Sequence, residues 1–589
     1  PSTDSEPSSE SSPSASGPAS SRRSGTSNTT AVAIVRRYVL APARRVIGLE
    51  TTAPRSGVAT LHGDEQEAPG LNPSETNQLR NIRRFGAAGA LLMAIGALGA
   101  GAQPVLQNPI AGVRFLSLPS RMATSALTVT MTGTVVVVLA WLLLGRFALG
   151  RTRSGATPRR LTRSQMDRTL LLWILPLSVA PPMFSRDVYS YLAQSEITAR
   201  GLDPYEVGPV DALGADNVLT RTVPNIWRET PAPYGPLFLW MGRGITYLTG
   251  ENIVAGIFLH RLLALVGVAL IVWSLPRLAR RCGVASVTAL WLGAANPLLL
   301  FHLVAGIHNE ALMIGLMLAG TELALRAIEH PGALRRTDIA FLIGGAGLIA
   351  LSSTIKIPSL IALGFVGMAL SRRWGGTLRS VAYAALLLGI IAVAVQVAVS
   401  LGSGLGFGWI NTLGTAGVVR SWMSIPTILG LGTGFVGVLL GLGDHTTAVL
   451  SLTRPIAAVV AAVIVVRMLI AVLRGRLHSV GALGVALGAV VLLFPVVQPW
   501  YLLWAVIPLA AWATTPSFRR PAIAFSALVS VILMPNGSEY QPFQIVQAAV
   551  MTILTIAVLY LFSRNRMPWP TRTRPPAQAD STDEYAGSS

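Results

Sequence analysis

The chain has 589 residues, with 46 Lys and Arg against 26 Asp and Glu, so its formal net charge is +20. Hydrophobic residues make up 52% and charged residues only 12%, with a mean hydropathy of +0.56. Soluble domains carry about a quarter charged residues, so an ordinary soluble enzyme is excluded and an all-α polytopic membrane protein is expected.

Residues 1–78 are rich in Ser, Pro, Thr and Gly and bury too little apolar surface to order themselves, so a disordered cytoplasmic tail is expected there. Within it, Ala31–Leu49 interleaves Arg36/Arg37 and Arg44/Arg45 with aliphatic residues. A basic amphipathic helix on the inner membrane surface fits this pattern, interrupted by Pro42; a tail with incidental apolar residues fits it equally. Residues 79–565 form the membrane body. Spans are expected at about 85–103, 123–145 and 169–184, the last two separated by an arginine-dense loop that belongs inside. The third span delivers a long polar, aromatic, Pro-rich segment, 185–250, to the outer face. Further spans follow at about 252–275, 283–304, 310–328, 338–353, 357–371 and 380–401. Their flanking clusters Arg277/Arg280/Arg281, Arg335/Arg336 and Arg372/Arg373/Arg379 alternate inside. Segment 402–449 does not fit as one crossing. It is read as an outer piece with a re-entrant Gly-rich stretch around 425–443. Spans at about 450–473, 479–497, 500–516, 521–535 and 543–562 bring the expected total to about fourteen, with both termini inside and a disordered cytoplasmic tail over 566–589.

The lone cysteine, Cys282, excludes a disulfide framework and falls in a short inner loop, where a thiol stays reduced. The basic excess is almost all arginine, Lys356 being the only lysine. Arginines clustered between spans suit anionic lipid better than a nucleic-acid groove. Neither zinc-finger nor Walker nor metalloprotease spacing is present, and no metal or other cofactor is expected.

The polar residues inside this threading gather on the outer face. Asp187, in SRDVYSY directly after an apolar span, would stand ionised at the membrane boundary and could take a proton from a sugar hydroxyl; capping the following helix by Asp187 or Ser185 is the structural alternative. Arg261, beside His260 about 15 Å inside a span, needs a partner such as a phosphate, Glu251 or a helix carbonyl. Lys356 is a second phosphate candidate, or snorkels to the interface, and Arg420 is a third. Tyr189, Tyr191, His308, Asn309, Gln498, Trp500 and Tyr501 are candidates for holding sugar. Trp and Tyr there also suit an aromatic belt, and Glu310 reads best as a helix cap.

The segments SRDVYSYLAQSEITARGLDPYEVGP, TPAPYGPLF, LHRLLALVGVAL and HNEALM resemble the GT-C glycosyltransferases, and among them the actinobacterial polyprenol-phosphate-mannose-dependent α-(1→6)-mannosyltransferases of the MptA/MptB type, with MptB favoured. The resemblance spans about 80–565. It implies inverting transfer of mannose from polyprenyl-phosphate mannose to the 6-hydroxyl of a lipid-linked α-(1→6)-mannan, toward lipomannan and lipoarabinomannan, at the outer face of the plasma membrane. It also implies that Asp187 is the general base and that Arg261, Lys356 and Arg420 steady the leaving phosphate. Many GT-C members carry a second acidic residue beside that position, whereas here Val188 follows, which favours base catalysis without a metal. The alternatives are another GT-C enzyme, such as an arabinofuranosyltransferase or a protein O-mannosyltransferase, and a secondary transporter or flippase with His260 and Arg261 as an intramembrane relay.

Overall fold

The computed structural model describes residues 68–569, apart from 107, 151–158, 419 and 536–539. The segment 31–49 and the tail beyond 569 lie outside the described residues. As far as residue 67 the expected tail lies outside the described residues, and from Pro73 the chain is helical. Asn72 and Glu75 form a reciprocal cap that starts helix α1, Pro73–Ala100, before Leu79.

Among the described residues there is no strand; Gly70 and Arg160 make an isolated parallel bridge. After α1 come α2 (Ala123–Ala148) and α3 (Arg163–Val179), the latter started by a Thr162–Gln165 box. Next are α4 (Asp187–Ala199), α5 (Pro236–Thr249), α6 (Ile253–Arg281), α7 (Glu310–Ile328), α8 (Arg336–Ser353), α9 (Ile361–Arg373) and α10 (Leu378–Gly402). The chain ends with α11 (Ile425–Leu439), α12 (Thr446–Leu473), α13 (Ser479–Leu493), α14 (Leu502–Ala510), α15 (Pro516–Ile532) and α16 (Pro542–Ser563).

Among the described residues eight helices, α1, α2, α6, α7, α8, α10, α12 and α16, are long and apolar enough to cross a bilayer. The other expected crossings are shorter or broken. The clearest correction is 283–304, which is not one helix. A short helix, Ser286–Leu292, stops before Asn296-Pro297, and the chain resumes as a π-helical turn, Leu299–Ala305. Pro297 has no N–H to give, and the Asn296 amide satisfies the Leu292 carbonyl and the Ser526 hydroxyl, each at 2.9 Å. In 402–449, α11 has 15 residues, fewer than the ~20 a crossing needs, and packs on α12.

Close approach of backbones holds the bundle together, as expected where lipid offers no hydrophobic drive between helices. α1 and α2 meet at Gly89 and Gly133, where a methyl on Gly133 would lie 2.6 Å from the Gly89 carbonyl oxygen. α7 is buried along nearly its whole length between α6 and α8, whereas α10, α12 and α16 keep most of their apolar side chains exposed. From Glu310 to Ile328, α7 rises about 27 Å, close to the thickness of a bilayer's apolar core. Its two ends therefore define two sides of the bundle.

Candidate active site

At the C-terminal end of α7 the polar contacts are arginine-rich. Arg281 grips Glu322 through two hydrogen bonds of 2.8 and 2.9 Å and reaches Glu329 at 2.6 Å. Glu329 accepts from His478 Nε2 at 3.1 Å, and His478 Nδ1 lies 3.3 Å from the buried Cys282 thiol. Burial pulls the His478 imidazole down, but Cys282 and Glu329 more than offset it, and its pKa rises to about 10.

The opposite end of α7 is where the acidic and aromatic residues meet, brought there by four irregular connections. α3 ends before Pro181-Pro182, and the link back to α4 passes through Phe184 at φ +66°. Ser185 Oγ then accepts the Asp187 N–H at 3.0 Å just before α4 begins, which leaves the Asp187 carboxylate for other partners. The second connection leaves the π turn through Ile307 at φ +60° and presents His308, Asn309 and Glu310. Two non-glycine residues in the left-handed region next to Asp187 and His308 are strain of the sort that clusters at functional sites. The third carries Lys356 between α8 and a 3-10 turn, Ile357–Leu360. There the PAPYGP motif docks, with Gly235 N–H on the Ile355 carbonyl at 3.0 Å. A Cβ on Gly235 would sit 2.1 Å from the Thr354 carbonyl oxygen, so only glycine fits. The fourth is the 3-10 turn Pro499–Tyr501.

His308 Nδ1 lies 3.4 Å from Asp187 Oδ2 and 4.0 Å from Glu310 Oε2, and its ring stacks on Trp500 with centroids 3.6 Å apart. Glu310, wholly buried, takes the Lys356 ammonium and the Trp500 indole N–H, the latter at 3.1 Å, on one carboxylate oxygen. Lys356 Nζ also reaches the Tyr501 hydroxyl at 3.4 Å and sits 4.9 Å from that ring's centroid and 5.9 Å from Tyr234's. Burial pushes the Asp187 carboxyl up, but the His308 imidazole 3.4 Å away, the Lys356 charge and the Ser185 hydroxyl more than offset it, so its pKa lies below the ordinary value. For Lys356 burial pulls down, and Glu310, Tyr501 and Asp187 together raise its pKa. At neutral pH the wall holds an ionised carboxylate and an ammonium. Burial, then the nearby carboxylates, keeps Tyr234 a neutral hydroxyl.

Asp187 and Lys356 face an open cleft lined also by Gln498, Trp500 and Tyr501 and by Trp227, Tyr234, Trp409, Thr412, Phe494 and Trp504. The structure therefore brings together Asp187, Lys356, Gln498, Trp500 and Tyr501, with His308 behind Asp187. It does not bring in the rest. Arg261 is buried and donates to the Ser178 carbonyl at 3.1 Å, the helix-carbonyl alternative; Arg420 is exposed and bonds the Thr447 hydroxyl at 3.3 Å. Tyr189 spends its hydroxyl on the Ala102 carbonyl at 2.6 Å, and Tyr191 packs edge-on against Tyr234 and Phe238. Asn309 is buried one residue before Glu310, and its backbone N–H reaches the Tyr191 hydroxyl at 3.4 Å. Glu310 is a correction: it does not cap α7 but forms a buried ion pair. Trp227 and Tyr234 belong to the outer-face residues whose convergence the sequence suggests, and they line the cleft, whereas Trp409, Thr412 and Trp504 were not singled out. For Trp409 and Trp504 an aromatic near the end of an apolar span was the one visible signal; Thr412 had none.

Residues 83–372 match the family model described as the N-terminal domain of α-(1→6)-mannopyranosyltransferases, and residues 426–561 match the MptB C-terminal domain. The chain is 58% identical over 555 residues to a probable α-(1→6)-mannopyranosyltransferase of Mycolicibacterium smegmatis, covering 90% of this chain and 98% of that one. It is 56% identical to an α-(1→6)-mannopyranosyltransferase of Mycobacterium tuberculosis, over 87% and 92% of the two chains. With α-(1→6)-mannopyranosyltransferase B of Corynebacterium glutamicum the identity is 40%, over 82% and 81%. No solved structure matches the chain.

Proposed function

Because the chain belongs to the α-(1→6)-mannopyranosyltransferase family, we propose that it moves mannose, with inversion, from polyprenyl-phosphate mannose to the 6-hydroxyl of a lipid-linked α-(1→6)-mannan destined for lipomannan and lipoarabinomannan. The observation that carries this reading is a carboxylate, Asp187, and an ammonium, Lys356, on the wall of one aromatic-lined cleft. The cleft lies at the end of α7 opposite the arginine-rich end. By the positive-inside rule the arginine end faces the cytoplasm, so the cleft opens outside and both termini lie inside.

In this mechanism Asp187 accepts the proton of the acceptor's 6-hydroxyl as that oxygen bonds to mannose C1. The C1–oxygen bond to phosphate breaks, and its electron pair leaves with the phosphate. Lys356 steadies the charge that grows there. Trp500, Tyr501, Trp227 and Trp409 offer ring faces to the pyranoses, and Gln498 an amide to their hydroxyls. Arg261 and Arg420 lie outside the cleft and receive no part in the phosphate's binding. His308 orients Asp187.

The test is transfer by the purified chain from labelled polyprenyl-phosphate mannose to a short α-(1→6)-mannoside, with Asp187→Asn beside it. Expected is transfer that the substitution abolishes while donor still binds. Transfer from a different polyprenyl-phosphate sugar alone would replace the sugar. No transfer from any such donor would refute the reading.

A further inference from the structure

Glu310 is an unexpected residue to find beside a phosphate site. With histidines counted as neutral, the charged groups among the described residues that line the cleft or pair directly with its lining are Asp187, Glu310 and Lys356, two negative charges against one positive. A phosphodiester donor brings one further negative charge. Transfer turns it into a phosphomonoester, which at neutral pH carries between one and a half and about two negative charges. Among the described residues that line the cleft Lys356 is the one cation, and Glu310 sits immediately behind it. It has no exposed surface, its Oε1 accepts from both Lys356 and Trp500, and its Oε2 lies 4.0 Å from His308. Lys356 has three N–H donors. One is spent on Glu310 and one points at the Tyr501 hydroxyl, which leaves one for the cleft.

We propose that Glu310 is a positioning residue that tunes Lys356 to hold the monoanionic donor and to let go of the more highly charged lipid monophosphate product. The inference rests on the polyprenyl-phosphate reading above and deepens it. Glu310 fixes the ammonium's direction and cancels most of its field, so the cleft grips a singly charged phosphate through one hydrogen bond rather than through bare charge. After transfer the proton taken from the acceptor is on Asp187. When Asp187 returns it to water, the three groups again sum to one negative charge and face a product richer in charge than the donor. Repulsion from Glu310 and Asp187 then favours departure. A residue that merely built the pocket would weaken every ligand when altered. This one, neutralised, strengthens the ligand with more charge.

The experiment measures binding of polyprenyl monophosphate and of polyprenyl-phosphate mannose to the full chain in lipid nanodiscs, for wild type and Glu310→Gln, whose amide oxygen still accepts the Trp500 N–H. Expected is about tenfold tighter binding of the monophosphate in E310Q, a smaller gain for the donor, and a lower kcat with a lower donor KM as product release slows. Glu310→Asp, which keeps the charge, should restore the wild-type ratio of the two affinities. Weaker or unchanged binding of the monophosphate in E310Q overturns the proposal. The wild type supplies a second reading that needs no variant. A wild type that prefers the monophosphate to the donor also overturns it. If wild type transfers mannose and E310Q leaves both affinities unchanged, the inference alone falls. If wild type binds neither lipid, the proposed function falls with it.

Discussion

Replacing Lys356 with Met should destabilise the chain severely, and adding Glu310→Gln should return most of the loss. Met keeps most of the lysine's length but removes the ammonium, leaving a wholly buried carboxylate with the Trp500 N–H as its remaining hydrogen-bond donor. Removing one partner of a buried pair costs about 3–5 kcal/mol, because the other charge stays inside without compensation. Glu310→Gln alone should cost less, about 1–2 kcal/mol, since the lysine side chain is 16% exposed to the cleft and water can reach it. In the double variant no charge is stranded and the Gln oxygen still accepts from Trp500, so a total of about 1–2 kcal/mol is expected. The two single costs should therefore exceed the double by at least about 2 kcal/mol. The assay is unfolding of the purified full chain in mixed detergent micelles, followed by tryptophan fluorescence and circular dichroism. Costs that add to within about 0.5 kcal/mol would refute the claim that the two charges hold each other inside.

Asp187→Asn should lower transfer about 10²- to 10⁴-fold and change stability by less than about 1 kcal/mol, because the hydrogen bond from its backbone N–H to Ser185 Oγ remains; equal losses of folding and activity would contradict this. Since the folded carboxyl lies below its ordinary value, its contribution to stability is complete above the unfolded pKa of about 3.9 and disappears only as pH falls through the folded one. The acid limb of kcat/KM should accordingly sit below the usual carboxylate range. His478 behaves oppositely. Its pKa is about 10 in the folded chain and about 6.5 unfolded, so its contribution is complete below about 6.5 and is lost as pH rises through 10. Wild type should lose stability relative to His478→Gln across that window in parallel melts, and parallel curves would refute the assignment. Arg420→Ala, outside the cleft on an exposed contact, should leave transfer within about twofold.

Hydropathy and arginine spacing made the long helices legible. α6, α7, α8 and α10 fall within a few residues of the expected spans at one or both ends, because each is an apolar run bounded by caps or arginines. The break at Asn296-Pro297 was missed because its flanks are apolar enough for one continuous crossing, and the asparagine's distant partner, Ser526, is invisible along the chain. Asp187 was legible from its position after an apolar span. Glu310 was not, since at a helix start a carboxylate looks like a cap. Only the fold shows that Lys356, 46 residues on, reaches it. Arg261 shows the reverse: along the chain a buried guanidinium looks like a ligand site, and in the fold it donates to the Ser178 carbonyl one helix away.

The near-total use of arginine for positive charge gives the cleft a chemical address. Lys356 carries the only side-chain amine in the sequence, and it opens onto the proposed substrate site. A reagent that acylates amines thus has a single side-chain amine as its target, which reports on the cleft. The same carboxylate that steadies the ammonium keeps its nitrogen lone pair protonated, so labelling belongs at alkaline pH. Whatever fills the cleft would register as protection of one nitrogen atom.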